Sequence, residues 1–369
     1  LKLAFVLHRY FPFGGLQGDM FVIACEALQR GHQVTVFCSS WQGDLPKEIV
    51  LRLLPERGWS NAARMSSFSR QVSAALAEDK FDLVVGFNKL PGLDVYYAAD
   101  SCFAYKAFSE RGLWYRQTAR ARLYLKFEKA VFAKYSRTEI LELSLSERDR
   151  YRHYYDTDAA RFHTLPPGIP RERKAADDWP AIRTAKRREL GIDTGQKLLL
   201  AVGSGFRTKG LDRSILALRQ LTDFDARLFV VGQDNRRPFV KLAEQHQLSD
   251  KVEFLGGRND VASLLQAADI LLHPAYRENT GNVLLEAMVA GLPVVTTDVC
   301  GYSDYVDQAD MGTVISSPYN EVLYVAAIIE ALGTDTKAWH QKGEEFAQRD
   351  DIYQRPQQAV DILEGQGSR

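Results

Sequence analysis

The sequence predicts an α/β fold made of two Rossmann-like domains. Three observations lead there. Short aliphatic runs of strand length alternate with helical patterns along all 369 residues. The runs are apolar almost throughout rather than alternating, which marks parallel strands covered on both faces. The length suits two domains, and a stiff stretch, Leu165-Pro166-Pro167-Gly168-Ile169-Pro170, breaks the pattern near the middle of the chain.

Taken in order, the first half predicts strands at 2–7, 34–38, 49–54, 81–87, 95–99 and 139–144. A helix over 15–30 ends at Gly31-His32. The second half predicts strands at 198–203, 228–232, 252–255, 270–273 and 294–297, with helices at 211–221, 238–247, 261–268 and 281–290 between them. Residues 1–165 form the expected first domain and 166–350 the second. The amphipathic tail, 351–369, is expected to pack back on the first.

Composition is that of an ordinary globular protein with a formal net charge of zero, which gives no global nucleic-acid signature. The four cysteines, Cys25, Cys38, Cys102 and Cys300, form no Cys-x-x-Cys pair and suit a reducing cytoplasm. The first apolar stretch is too short for a secretory leader, and no run approaches a membrane span. Histidines and acids show no metal-ligand spacing, so no metal is expected. Asp156-Thr157-Asp158 reads as a turn and cap and Asp223-Phe224-Asp225 as a loop, while His273 reads as a strand-end residue.

Three stretches carry chemistry. In His273-Pro274-Ala275-Tyr276-Arg277-Glu278-Asn279-Thr280-Gly281-Asn282-Val283-Leu284-Leu285-Glu286, a buried strand leads into a helix that Thr280 is expected to cap. Glu278 precedes the helix, and Glu286 lies inside it, about 9 Å along its axis from Thr280. Two carboxylates on either side of a positive helix end suit an anionic ligand with hydroxyls at both ends, such as a nucleotide sugar. In Gly203-Ser204-Gly205-Phe206-Arg207-Thr208-Lys209-Gly210, two cations sit among glycines at the carboxyl end of a strand, an arrangement for a diphosphate. It is neither a phosphate loop, since Gly210 follows Lys209, nor a dinucleotide fingerprint, since Thr208 replaces the third glycine. Arg173, just past the proline stretch, is a further phosphate candidate. Gly14 and Gly15 form a strand-to-helix turn that either approaches a ligand or is simply tight. Asp19, one turn on, either faces the crevice or balances the helix dipole.

Residues 103–137 stand apart. From 104 on, nine basic residues face only Glu110 and Glu128, a net charge of +7 in a neutral chain, and aromatics are interleaved. Arg116, Arg120, Arg122 and Lys126 lie on its helical part. The pattern reads as a membrane-surface or anionic-acceptor patch, against the plainer reading of a surface helix burying its aromatics. Nucleic acid is disfavoured, because no recognised binding module is present.

These motifs resemble the retaining glycosyltransferases of family 4. The resemblance runs through Tyr10-Phe11-Pro12-Phe13-Gly14-Gly15-Leu16-Gln17, Gly86-Phe87-Asn88-Lys89-Leu90-Pro91-Gly92-Leu93-Asp94-Val95-Tyr96, Leu165-Pro166-Pro167-Gly168-Ile169 and the 278–291 block, and covers nearly the whole chain. It implies a GT-B fold with its two domains facing a central cleft. It implies metal-independent transfer, with retention, of a hexose, glucose foremost, from a UDP-sugar to an inner-core heptose of lipopolysaccharide. The enzyme would be cytoplasmic and peripheral on the inner face of the bacterial inner membrane, using 103–137. By matching position, Lys209, Arg173 and Arg207 hold the diphosphate and Gly14 and Gly15 cover it. Glu286 binds ribose, Glu278 binds sugar hydroxyls with the backbone of Asn279, Thr280 and Gly281, and Asp19 and Asp100 line the acceptor side. Asp19, Lys209 and Glu278 are the catalytic candidates. Gly18 stands where the family usually has a basic residue, and Thr208 where some relatives carry one. A non-hydrolysing nucleotide-sugar epimerase and a non-catalytic UDP-sugar-binding membrane adaptor are the rival expectations.

Overall fold

The computed structural model describes residues 1–12 and 14–367. The chain divides into two compact units, 1–166 with 354 onward, and 167–353. Each is built on its own parallel sheet.

In the first unit seven strands run in the order Val50–Leu53, Gln33–Cys38, Lys2–Val6, Leu83–Gly86, Val95–Ala98, Glu139–Glu142, Phe162–Thr164, all parallel. A small parallel pair, Arg9–Tyr10 with Ser40–Trp41, extends beyond the carboxyl ends of two of them. One sheet face packs on Met20, Ile23 and Ala27 of the Gly15–Gln29 helix, and the other on Met65, Phe68 and Val72 of the Asn61–Glu78 helix. The Arg355–Gly367 helix belongs to this unit. Its Ala359, Val360 and Leu363 are fully buried in the cluster that holds Leu3, Phe5 and Ile23.

In the second unit six parallel strands run Val252–Gly256, Ala226–Val231, Lys197–Val202, Ile270–His273, Val294–Thr297, Gly312–Ile315. Counted within the unit this is the order 3-2-1-4-5-6, which reverses between Lys197–Val202 and Ile270–His273. In open α/β sheets ligands bind outside the carboxyl ends of the strands at that reversal. The two loops leaving it are 203–210 and 274–281.

Besides the two-residue pair Arg9–Tyr10 and Ser40–Trp41, two strands of the main sheets go beyond those predicted, Phe162–Thr164 and Gly312–Ile315. Each is short and closes a sheet edge, so neither carries the continuous apolar run of a central strand. The cap also differs. The helix is Asn282–Val289, and its N-cap is Gly281, not Thr280, with no side-chain cap. Gly281 has φ 89°, a left-handed conformation that threonine rarely adopts, so the glycine makes the turn into the helix.

Candidate active site

At the reversal point of the second unit the two loops are fastened together. The Thr208 carbonyl accepts from the backbone N–H groups of Tyr276 (2.8 Å) and Arg277 (3.2 Å). Arg213 Nη1 donates to the carbonyls of Pro274 (3.0 Å) and Ala275 (3.2 Å), and its guanidinium lies between the rings of Tyr276 and Tyr319. Gly210 passes so close to Pro274 that an added Cβ would strike its carbonyl, and its φ of 73° is left-handed. From behind, Thr296 Oγ1 and Thr297 Oγ1 donate to the carbonyls of His273 and Ala275, both at 2.9 Å, and Tyr302 N–H donates to the Thr280 carbonyl at 2.9 Å.

This scaffold brings Lys209 onto Glu278, 69 positions away, where the ammonium donates to Oε2. His273 Nε2 lies 3.1 Å from the same oxygen. Burial, then the neighbouring Lys209 charge, pushes the His273 imidazole down to about 3, so it is neutral at physiological pH. A neutral ring facing a carboxylate carries its proton on Nε2 and donates it. Burial also lowers Lys209, to about 8. Asn279 N–H donates to Glu278 Oε1 at 3.1 Å, so the carboxylate is held from three directions. Residue type alone, a histidine closing a strand, does not reveal that His273 supports Glu278.

Glu286, on the second turn of the helix, pairs with Arg173 (Nε–Oε2, 3.2 Å). Arg173 ends a short 3-10 turn, Arg171–Arg173, and the chain beyond it is pinned by Ala175 N–H to the Val289 carbonyl at 2.9 Å. Arg207 is exposed at the rim of the 203–210 loop. Lys209, Glu278, Asn279, Thr280, Gly281, Glu286, Arg173 and Arg207 therefore all lie on the 203–210 and 274–289 elements and the segment packed beside them. No group of three or more His, Cys, Asp or Glu suited to a metal occurs among the described residues.

The remaining candidates lie in the first unit. Gly14 is the N-cap of Gly15–Gln29 and sits too close to the Gln17 side chain to accept a Cβ. Asp19 is buried, accepting from Tyr97 Oη (2.8 Å) and Arg355 Nη1 (3.1 Å), while Arg355 also donates to the Pro166 carbonyl (3.0 Å). The carboxylate thus ties the returning C-terminal helix to the first. Asp100 is exposed, and its carbonyl accepts from Tyr151 Oη (2.7 Å).

The 103–137 stretch is a series of helical turns ending in Ala119–Phe132, which Thr118 caps. Its start is anchored by Glu128, wholly buried, which accepts from Lys89 Nζ (2.6 Å) and from the N–H groups of Phe103 (2.7 Å) and Ala104 (2.8 Å). Arg116 is used internally, donating to the carbonyls of Ala107 and Phe108. Arg120, Arg122 and Lys126 are exposed, as are Leu113, Trp114 and Tyr135. No described helix is long and apolar enough to cross a membrane.

Two doubly wound parallel units, the second carrying paired cation and carboxylate loops at its switch point, define a glycosyltransferase of GT-B fold. The comparisons with known proteins agree. The group 1 glycosyl transferase family model matches residues 182–346, and that of glycosyltransferase family 4 matches residues 13–173. Lipopolysaccharide glucosyltransferase WaaG of Escherichia coli (strain K12) is 45% identical over 98% of this chain and 98% of its own. The crystal structure of WaaG, a glycosyltransferase involved in lipopolysaccharide biosynthesis, superposes with a TM-score of 0.94 at 44% identity, covering 98% of this chain and 99% of that one. The chain belongs to this glycosyltransferase family. At the level of fold it also matches Anabaena HepE in complex with UDP and glucose, with a TM-score of 0.75 at 19% identity over 98% of this chain and 99% of that one.

Proposed function

We propose that this enzyme transfers a hexose, glucose foremost, with retention, from a UDP-sugar to an inner-core heptose of lipopolysaccharide, without a metal. The observation that carries the reading is the meeting of Lys209 and Glu278 at the switch point of the second unit. A diphosphate needs cations and a sugar needs a carboxylate for its hydroxyls, and here the two groups are within one hydrogen bond of each other. Lys209, Arg207 and Arg173 would neutralise the charge developing on the departing diphosphate. Glu286 would take the ribose hydroxyls, and Glu278, oriented by His273, the hexose hydroxyls. With Glu278 engaged in this way, the acceptor attacks from the face of the leaving group. The C1–O bond to phosphate breaks, the new glycosidic bond forms on the same face, and the acceptor proton passes to the departing phosphate oxygen.

The test is turnover with UDP-glucose and truncated core lipopolysaccharide, the product read by mass spectrometry and NMR. Lys209→Ala is expected to lower kcat by roughly 10²- to 10³-fold, the cost of losing one charge-stabilising donor. Near-native turnover in that variant removes the assignment. Conversion of UDP-sugar without acceptor would instead point to an epimerase.

The same reading takes residues 103–137 as contact with an anionic membrane surface on the cytoplasmic side. Exposed Arg120, Arg122 and Lys126 beside exposed Leu113 and Trp114 support it. Each basic residue near an anionic bilayer contributes about 1 kcal/mol. Neutralising these three is therefore expected to weaken binding to anionic vesicles by roughly 10²-fold and leave neutral vesicles unaffected. Arg116 is left in place because it holds the local backbone. Unchanged binding would remove the membrane contact.

A further inference from the structure

Trp59 is fully exposed, yet the loop that carries it is fastened along its length. Gln71 Nε2 donates to the Pro55 carbonyl (2.9 Å), Arg57 N–H to Ser67 Oγ (3.3 Å) and Arg64 Nε to the Gly58 carbonyl (3.0 Å). Ser60 Oγ accepts from Ala63 N–H (3.1 Å) and caps the Asn61–Glu78 helix. A fixed backbone thus presents a large apolar ring to solvent, where it gains nothing for the fold.

The loop follows the Val50–Leu53 strand and so lies at the carboxyl end of the first sheet, on its outermost strand, on the same side as the reversal between Lys2–Val6 and Leu83–Gly86 where ligands of α/β units bind. It is wired along that edge. Glu56 pairs with His8 (2.7 Å) and with Arg9. His8 N–H donates to Asn88 Oδ1 (2.7 Å), and the Arg9 carbonyl accepts from Gln17 Nε2 (3.0 Å) on the helix that begins at Gly15. Two contacts in series, Glu56–Arg9 and Arg9–Gln17, therefore join the Trp59 loop to the helix that follows the glycine turn.

We propose that residues 55–60 form a carbohydrate subsite for the acceptor oligosaccharide, with the Trp59 indole stacking on a sugar ring and the Glu56–Arg9 pair meeting its hydroxyls. This rests on the proposed transfer to a saccharide acceptor, and on the expectation that Asp19 and Asp100 of the first unit line the acceptor side. A sugar ring has an apolar C–H face and a polar rim. An exposed indole three positions along the loop from a carboxylate–guanidinium pair offers both, since aromatic faces supply contact area and charged groups supply strong hydrogen bonds. The segment Pro55-Glu56-Arg57-Gly58-Trp59-Ser60 carries both signs of charge and one aromatic, unlike the basic, multi-aromatic 103–137 stretch, so a saccharide fits it better than a bilayer.

The test compares Trp59→Ala and Trp59→Phe in the full chain, using core oligosaccharide truncated at the inner heptoses and freed of lipid. Trp59→Ala is expected to raise the acceptor KM about five- to tenfold, the range of one aromatic contact. It should leave kcat and the Kd for UDP unchanged, and Trp59→Phe should recover most of the loss. Trp59 touches no core, so the variants fold. An unchanged acceptor KM in Trp59→Ala overturns the subsite, as does weaker vesicle binding with an unchanged KM. A wild-type enzyme that binds UDP-glucose but transfers nothing to this oligosaccharide overturns the functional reading instead.

Discussion

Burial works against the charge of Lys209, while the Glu278 carboxylate that accepts from it works in favour. Burial brings it down to about 8, while its proposed task requires the ammonium. A lysine lowered this far is increasingly neutral above that pH in the free protein, and a diphosphate must then drive reprotonation on binding. UDP affinity, measured by isothermal titration calorimetry, is therefore expected to fall up to tenfold per pH unit above about 8. Lys209→Arg, which stays charged throughout, should bind more weakly at pH 7 but show no such inflection. A Kd flat across pH 7–9.5 in the wild type would separate Lys209 from the diphosphate. The lysine was visible in the sequence because glycines bracket it after an apolar strand. Its Glu278 partner and the His273 proton beneath both were not, since the two loops lie 69 positions apart in the chain and a histidine's tautomer is set only by what surrounds it in the fold.

At the level of elements, apolar runs revealed the central strands because both faces of a parallel sheet demand apolar side chains. Edge strands such as Phe162–Thr164 escape that demand, as did Gly281, whose left-handed φ made it the helix start in place of Thr280. The 203–210 loop depends on the same physics. Gly210→Ala would force a left-handed alanine against the Pro274 carbonyl, and a cost of about 1–3 kcal/mol is expected from the strain alone. The loop is bolted to 274–277, so the displacement should also weaken UDP binding, which separates this variant from a merely destabilised one. In the first unit, Glu128 holds the root of the basic segment. Glu128→Ala leaves Lys89 buried without its partner and should cost about 3–5 kcal/mol in urea unfolding. A loss below 1 kcal/mol would mean that water or a shifted side chain replaces the carboxylate.

At pH 7 the charge sums to zero across the whole molecule, so global repulsion is small there and the first loss of stability below neutrality traces to particular buried groups. Two of them, His273 and His340, lie in the second unit. His273 faces Lys209 and Glu278. His340 stacks on Trp179 (3.5 Å between centroids) near Arg183. Burial, the larger cause at both, lowers them to about 3 and about 4 from an ordinary 6.5. Their folded-state values lie below their unfolded ones, so between these pH values the unfolded chain binds more protons than the native one. Stability rises with pH through this window. It is fully present above about 6.5 and is lost as pH falls towards 4, by at most about 2.7 kcal/mol per pH unit when both rings contribute. The urea midpoint of the second unit, followed by pulsed proteolysis, is expected to fall over this range. His340→Phe keeps the stacking on Trp179 but removes one titrating ring, and should reduce the slope by about half. An unaltered slope would show that His340 gains its proton without unfolding, and that the acid limb belongs to His273 and the carboxylates.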